Sequence, residues 1–404
     1  MTAPSPIWIT GIGLVSAVGE GRDAHRAALA AAAPPPLDVM GFAPFPLHPG
    51  PALELDRQIP KKGDQRQMEP WQRLGTYAAG LALDDAGARA LVAEMDLIVA
   101  AGGGERDQAL DDAVLAAIAP LPPAEAAIKL NEMLASGLRP TLFLAQLSNL
   151  LAGNISIVHG VTGASRSFMG EEEAGADAVR IAVARLAEGR GAAALVGGAY
   201  SAPRWDLMML FNAGGLLRRG PWAPVFSRAD APGAIPGTLG AFLVLETAEA
   251  ARARGARGLA RVMGVATEQS RRTSADESTA AAARACAKLS LPSRAQAGGP
   301  LAVISGATGV ALPLTAELAF LGGLGRPVAL RAAGSRLGWG VEACFPASLA
   351  LAALALADGV LPPPMEAAEA AFDGAPRDIL VTGFGGWRGE ALAHLQAIPA
   401  EEQP

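Results

Sequence analysis

What most restricts the fold of this 404-residue chain is a rhythm. Short apolar runs that end in glycine alternate with longer stretches of helical periodicity. Such runs, bounded by turn residues, read as buried strands, and apolar residues recurring every three or four positions read as helices packed on them. Their alternation marks an α/β sheet protein. Residues 7–10 form a first strand entering Gly11-Ile12-Gly13. Trp71, Leu74, Tyr77, Ala78 and Leu81 share one helical face, which Gly87 closes. Residues 97–100 are a buried strand running into Gly102-Gly103-Gly104. A strand at 165–169, a helix at 172–188 ended by Gly189, and a strand at 193–196 compose a further unit, followed by a strand at 241–245. After the Arg-rich turn at 252–257 the order starts again: strand 259–265, helix 274–289, strand 301–304, helix 347–357 and strand 379–381. Two halves with similar element order imply an internal duplication, expected as residues 1–255 and 256–404. The Pro-rich segments 34–36, 44–51 and 362–364 read as surface loops.

Composition narrows the function classes. With 51% hydrophobic and 18% charged residues the chain buries a large core, which excludes disorder as its main state. Net charge is −6 and the only dense basic stretch is 252–257, too short for a groove that tracks phosphates, so no nucleic acid is expected. Cys286 and Cys344 show neither disulfide nor zinc spacing, and no metal or cofactor is expected. The glycine turns at 102–104 and 383–386 lack the spacing and following Lys-Ser/Thr of a P-loop. Residues 1–6 lack a signal-peptide pattern and the apolar run 349–356 is shorter than a membrane span; a cytoplasmic protein without a membrane span is the expectation.

The run Trp8-Ile9-Thr10-Gly11-Ile12-Gly13-Leu14-Val15-Ser16-Ala17-Val18-Gly19 resembles the opening strand and turn of the β-ketoacyl-acyl-carrier-protein synthases. Further resemblances follow in order: the segment 149–157, Gly163 and its strand-to-helix turn, Val196-Gly197-Gly198-Ala199, Phe242-Leu243-Val244-Leu245-Glu246, Gly359-Val360-Leu361-Pro362-Pro363, and Gly383-Phe384-Gly385-Gly386. The resemblance spans nearly the whole chain. It implies the thiolase-like fold, two similar α/β halves in an α-β-α-β-α layering.

It also implies where the chemistry should sit. The family's nucleophilic cysteine falls on Glu172, between Gly163 and Gly175. Its first histidine, eleven positions ahead of Glu317, falls on Gly306, and its second on Trp339, or on Ser335 if a gap intervenes. None of the four histidines, His25, His48, His159 and His394, lies in these motifs. Decarboxylative condensation needs an activated thiolate and imidazoles that polarise the thioester, steps each worth roughly 10² to 10⁴-fold. The family's acidic residue in its Gly-Glu-Gly-Ala stretch corresponds to Thr238. Trp339 and Trp387 are expected to fill the pocket, and Phe384 falls on the family's gating phenylalanine. The helix N-terminus is expected to keep Glu172 ionised, accepting backbone N–H bonds, with a neighbouring carboxylate meeting Arg166 or Arg388.

By resemblance, such a chain is a catalytically silent chain-length-factor-like subunit. It would pair with an active ketosynthase as a heterodimer, shape the acyl tunnel in fatty-acid or polyketide elongation, and meet the acyl carrier protein indirectly. Ser165, Arg166, Ser167, Phe168 and Met169 would lie at the subunit interface. The segments 139–147, 168–172 and 342–346 resemble partners in aryl polyene synthesis. The alternative is a malonyl-carrier-protein decarboxylase using Glu172 as acid/base.

Overall fold

A single long strand at the centre ties the molecule together. The computed structural model describes residues 5–104, 106–139, 142–292 and 299–404. Strand β1 (Ile7–Ser16) is buried at all ten positions and has strand partners on both sides. The others are β2 (Gly19–Glu20), β3 (Asp96–Ala100), β4 (Ser165–Phe168), β5 (Ala193–Tyr200), β6 (Leu239–Thr247), β7 (Ala260–Glu268), β8 (Leu301–Ser305), β9 (Val328–Ala332), β10 (Asp378–Phe384) and β11 (Glu390–Gln396). The spatial order β4-β3-β5-β6-β1-β7-β11-β10-β8-β9 divides at the short β1–β7 pairing of Ile7–Ile9. From its outer edge inward, each half repeats one pattern: two parallel pairings, then two antiparallel ones. The duplication is thus topological. We propose the division between the halves at 255/256, where Gly255 turns with φ +72°.

Among the described residues, the helices of nine or more residues are α1 (Gly21–Ala31), α2 (Pro70–Asp85), α3 (Gln108–Ile118), α4 (Pro123–Gly137), α5 (Leu150–His159), α6 (Glu171–Ala187), α7 (Trp205–Ala213), α8 (Ala275–Ala287), α9 (Ala311–Gly322) and α10 (Cys344–Asp358). Period-2 strands dictate the layers. Ile98 and Ala100 face one core with α6 and α10, whereas Leu97 and Val99 face another with α2 and α5. Helices α8 and α9 cover the outer face of the second half. The arrangement is α-β-α-β-α, with α6 and α10 in the middle layer. Helix α10 is Ala/Leu-rich, which favours helix, and is apolar all round, which only a core position tolerates.

The apolar run is longer than the sequence suggested. Together with the preceding turn it spans Val341–Asp358, 18 residues of mean hydropathy 1.5, enough by length for a membrane span, but 83% of it is buried against the rest of the protein. The Pro-rich segment 44–51 also departs from a plain surface loop. His48 is fully buried, meets the Pro36 carbonyl through Nδ1 at 2.8 Å, and pairs through its backbone with Gly237. Strands β9 and β11 and the hairpin of α3 and α4 were not legible from apolar runs. Helix α4 has no buried residue, so it shows no core-facing periodicity, and β11 alternates about His394 and Glu390, whose partners lie elsewhere.

The two edges of the sheet differ. β9 is mostly buried. Among the described residues β4 pairs only with β3, and it is exposed at Ser165, Arg166 and Ser167, with Phe168 half-buried and Met169 exposed just beyond it.

Candidate functional site

Three elements converge where the resemblance placed the nucleophile. Gly170, at φ +131°, turns the chain from β4 into α6, and Glu171 follows at φ +50°, a left-handed conformation that is uncommon for glutamate. Glu172 therefore enters the first turn of α6 with its side chain directed into the interior, 8% exposed. Trp339 reaches it from the opposite side. Its backbone is fixed by N–H donation to Ile235 O (2.8 Å) and by accepting from Gly237 N–H (2.9 Å), and Gly338, at φ +78°, lies too close to His48 and Gly237 to carry a side chain. The loop after β10 completes the group.

The contacts are specific. Trp339 Nε1–H donates to Glu172 Oε1 at 2.8 Å, and Gly386 N–H donates to the same oxygen at 3.0 Å. Gly385 must be glycine, since a Cβ there would meet Arg388 O at 2.2 Å and Glu172 Oε2 at 3.1 Å. Neighbouring Glu171 pairs with Arg388 at 2.9 Å, and both Glu173 oxygens accept from Gln269 Nε2. Arg166 stays exposed.

The expected ionisation of Glu172 is not what the geometry favours. Burial is the largest influence and raises its pKa above the ordinary value; its own backbone N–H, Gly386 N–H and the Trp339 indole lower it without prevailing. A helix N-terminus favours negative charge by 0.3–1 kcal/mol or so, less than the desolvation of a buried carboxylate. Glu342, behind it, is pushed up to about 7 by burial and by the Glu172 and Glu171 charges. Two buried carboxyls whose charges reach each other resist ionising together.

Gly306 lines the same small cavity as Glu172, Cys344, Thr382 and Phe384. Its volume is about 10 Å³, one water at most. A Cβ on Gly306 would lie 2.5 Å from Thr382 O, so no histidine fits there without backbone movement. Ser335 lies apart, accepting from Val225 N–H at 2.8 Å, which leaves Trp339 as the residue facing Glu172. Thr238 Oγ1 accepts from Ala202 N–H at 3.0 Å. Trp339 and Trp387 both pack on Phe211, with ring centroids 4.5 and 5.7 Å apart. Phe384 is fully buried against Phe320, at 6.2 Å, so a gating swing would have to break that contact.

Sequence reasoning missed Cys344, Glu342 and Phe211. Cys344 brings a thiol to the cavity, but burial and the Glu172 carboxylate push its pKa up, away from the thiolate, and it accepts from Gly340 N–H at 3.1 Å. The Glu342-Ala343-Cys344 triplet was visible as a family likeness. Nothing in the sequence pointed to Phe211.

Residues 51–251 match the model of the β-ketoacyl synthase N-terminal domain. The chain belongs to the thiolase-like β-ketoacyl synthase family. Among solved structures it resembles the ishigamide ketosynthase/chain length factor, with a TM-score of 0.77 at 21% identity, over 98% of this chain and 100% of that one. A β-ketoacyl synthase from Burkholderia phymatum STM815 gives 0.76 at 18% identity over the same shares. A type II polyketide acyl-carrier protein in complex with its ketosynthase, AntDE:AntF, gives 0.71 at 14% identity, again over 98% and 100%. Comparison with curated protein sequences gives no match.

Proposed function

We propose that this chain is a non-catalytic, chain-length-factor-like subunit that pairs with an active ketosynthase and shapes the tunnel for the growing chain in polyketide or fatty-acid elongation, of the aryl polyene type. The carrying observation is Glu172 Oε1 held by the Trp339 and Gly386 N–H groups, so that the chain's own carboxyl fills the cradle that would otherwise serve a reacting oxyanion. A cavity of about 10 Å³ leaves no room for a thioester.

The exposed edge of β4 supports the partner reading. An unpaired edge strand with Met169 beside it is a template for another chain, and obligate interfaces of this kind bury roughly 2,000–5,000 Å². Ser165, Arg166, Ser167, Phe168 and Met169 are the proposed contact strand. A carrier protein would be met through the complex. The segment 139–147 that suggested the aryl polyene type includes Pro140 and Thr141, which lie outside the described residues; Arg139 pairs with Glu69 and Asp107.

Co-expression with a ketosynthase that carries an intact Cys-His-His set tests this. A stable mixed dimer that elongates through the partner's cysteine alone is expected, and failure to form one would overturn it. The decarboxylase alternative places Glu172 as acid/base, but its carboxyl is engaged by two donors and shut from solvent. Acetyl product from malonyl carrier protein, lost in Glu172→Ala, would instead favour that alternative.

A further inference from the structure

At the end of the sheet away from Glu172 lies a larger opening. Strand β10 runs from Asp378 to Phe384, and at about 3.3 Å per residue it separates the two places by roughly 20 Å. Beside the starts of β8, β9 and β10 and the end of β11 is a groove of about 1190 Å³, whose lining shares no residue with the Glu172 cavity. Two arginines line it without a counter-charge. Arg326 gives Nη1 to Pro292 O at 2.9 Å and Nη2 to Gly299 O at 3.0 Å, so neutral carbonyls pin it and leave its charge uncompensated. Arg377 is exposed, and among the described residues its side chain has neither an ion pair nor a hydrogen bond. The pairing of β9, β8 and β10 sets the two strand starts two strand spacings apart, roughly 10 Å, a span that two arginine side chains cover around one anion.

The floor of the groove has the opposite character. Asp378 Oδ1 accepts from His394 Nε2–H at 2.8 Å and from Gln396 Nε2–H at 3.3 Å. His394 is 1% exposed, and among the described residues its other ring nitrogen, Nδ1, has no partner. A buried polar atom left unbonded destabilises the fold until something bonds it. Nδ1 accepts when the ring is neutral and donates when it is charged, and a hydroxyl group serves both states. Asp373 and Glu401 stand exposed on the rim, where carboxylates accept from hydroxyls and repel a polyanion. Phe372 and Met263 add apolar surface.

We propose that this groove binds a phosphorylated monosaccharide, with its phosphate on Arg377 in the field of Arg326 and its hydroxyls on Asp378, Gln396 and His394. The longer bond is the one from Gln396, and a sugar hydroxyl that moves this amide off Asp378 gives His394 Nδ1 its partner. A plain carboxylic acid would meet the arginines but leave the carboxylates and the imidazole unserved, and a polyphosphate would face Asp373 and Glu401. The C–H face of the sugar suits Phe372 and Met263. The inference goes beyond the subunit reading and does not depend on it.

The full-length chain is titrated by calorimetry with glucose 6-phosphate, glucose, inorganic phosphate and AMP. Glucose 6-phosphate is expected to bind at least about tenfold more tightly than glucose or inorganic phosphate, the effect of one charge-assisted hydrogen bond. It is also expected to bind more tightly than AMP, whose base the polar floor does not serve. Arg377→Ala, a change at an exposed position, should bring glucose 6-phosphate down to the affinity of glucose while leaving Tm unchanged. In proton NMR the sugar phosphate should shift the assigned ring resonance of His394 and leave those of His25, His48 and His159 in place. Equal affinity for glucose 6-phosphate and inorganic phosphate shows a simple anion patch and overturns the proposal. So do tighter binding of AMP, unchanged affinity in Arg377→Ala, an unmoved His394 resonance, or absence of binding at millimolar concentration.

Discussion

At Glu172 a single carboxylate oxygen accepts both an indole and a backbone N–H, and the stability of the centre depends on that acceptor. Glu172→Ala would orphan both donors inside a buried cavity and is expected to cost about 2–4 kcal/mol, measured by urea unfolding. Glu172→Gln, which retains an acceptor oxygen, is expected to cost far less. Glu342 supplies a pH dependence. Its pKa rises from 4.5 when unfolded to about 7 when folded, so its stabilising contribution is full below 4.5 and is lost as pH rises through 7. The loss amounts to about 3 kcal/mol. Glu342→Gln should flatten the fall in Tm between pH 5 and pH 8, and an unchanged slope would exclude Glu342 as its source. Glu172 and Trp339, which sequence assigned to separate family positions, meet in the structure through the indole N–H. Sequence misjudged the charge state of Glu172, because desolvation depends on everything packed around the carboxyl.

Two elements carry opposite burdens. Helix α10 is buried on every side, so Leu351→Ala removes contacts that nothing replaces and should cost about 2–5 kcal/mol, read from the shift in denaturant midpoint. Strand β4 has an unpaired edge and little side-chain burial. Ser167→Lys there should leave the chain's own stability within about 0.5 kcal/mol while abolishing the mixed dimer, scored by native mass spectrometry. A variant that still dimerises fully would remove β4 from the interface. Strands β1, β3, β5, β6, β7, β8 and β10 were legible because each is a continuous or alternating apolar run. β9 begins with Val328 and carries Arg331, whose side chain is buried by donating to carbonyls such as Ala370 O, so its pattern is broken by a polar residue that only tertiary partners satisfy.

At the scale of the whole molecule the proposed lack of condensing activity rests on packing as well as on side-chain identity. Restoring the triad as Glu172→Cys, Gly306→His and Trp339→His should not yield condensation with acyl and malonyl carrier proteins, because residue 306 has the Thr382 carbonyl against it and a lost Trp339 opens a void beside Phe211. Efficient condensation by that variant would show the backbone to be still competent.

By itself the sequence determined the α/β class, the order of most elements and the repetition of that order. Those are local facts, written in periodicity and residue identity. Tertiary structure alone decided that β1 joins the halves, that Glu172 accepts the Trp339 and Gly386 N–H groups, that a thiol and a second carboxyl lie near it, and that β4 keeps one edge unpaired among the described residues. Each depends on which distant segments share a surface, and burial and hydrogen-bond partnership exist only once they do.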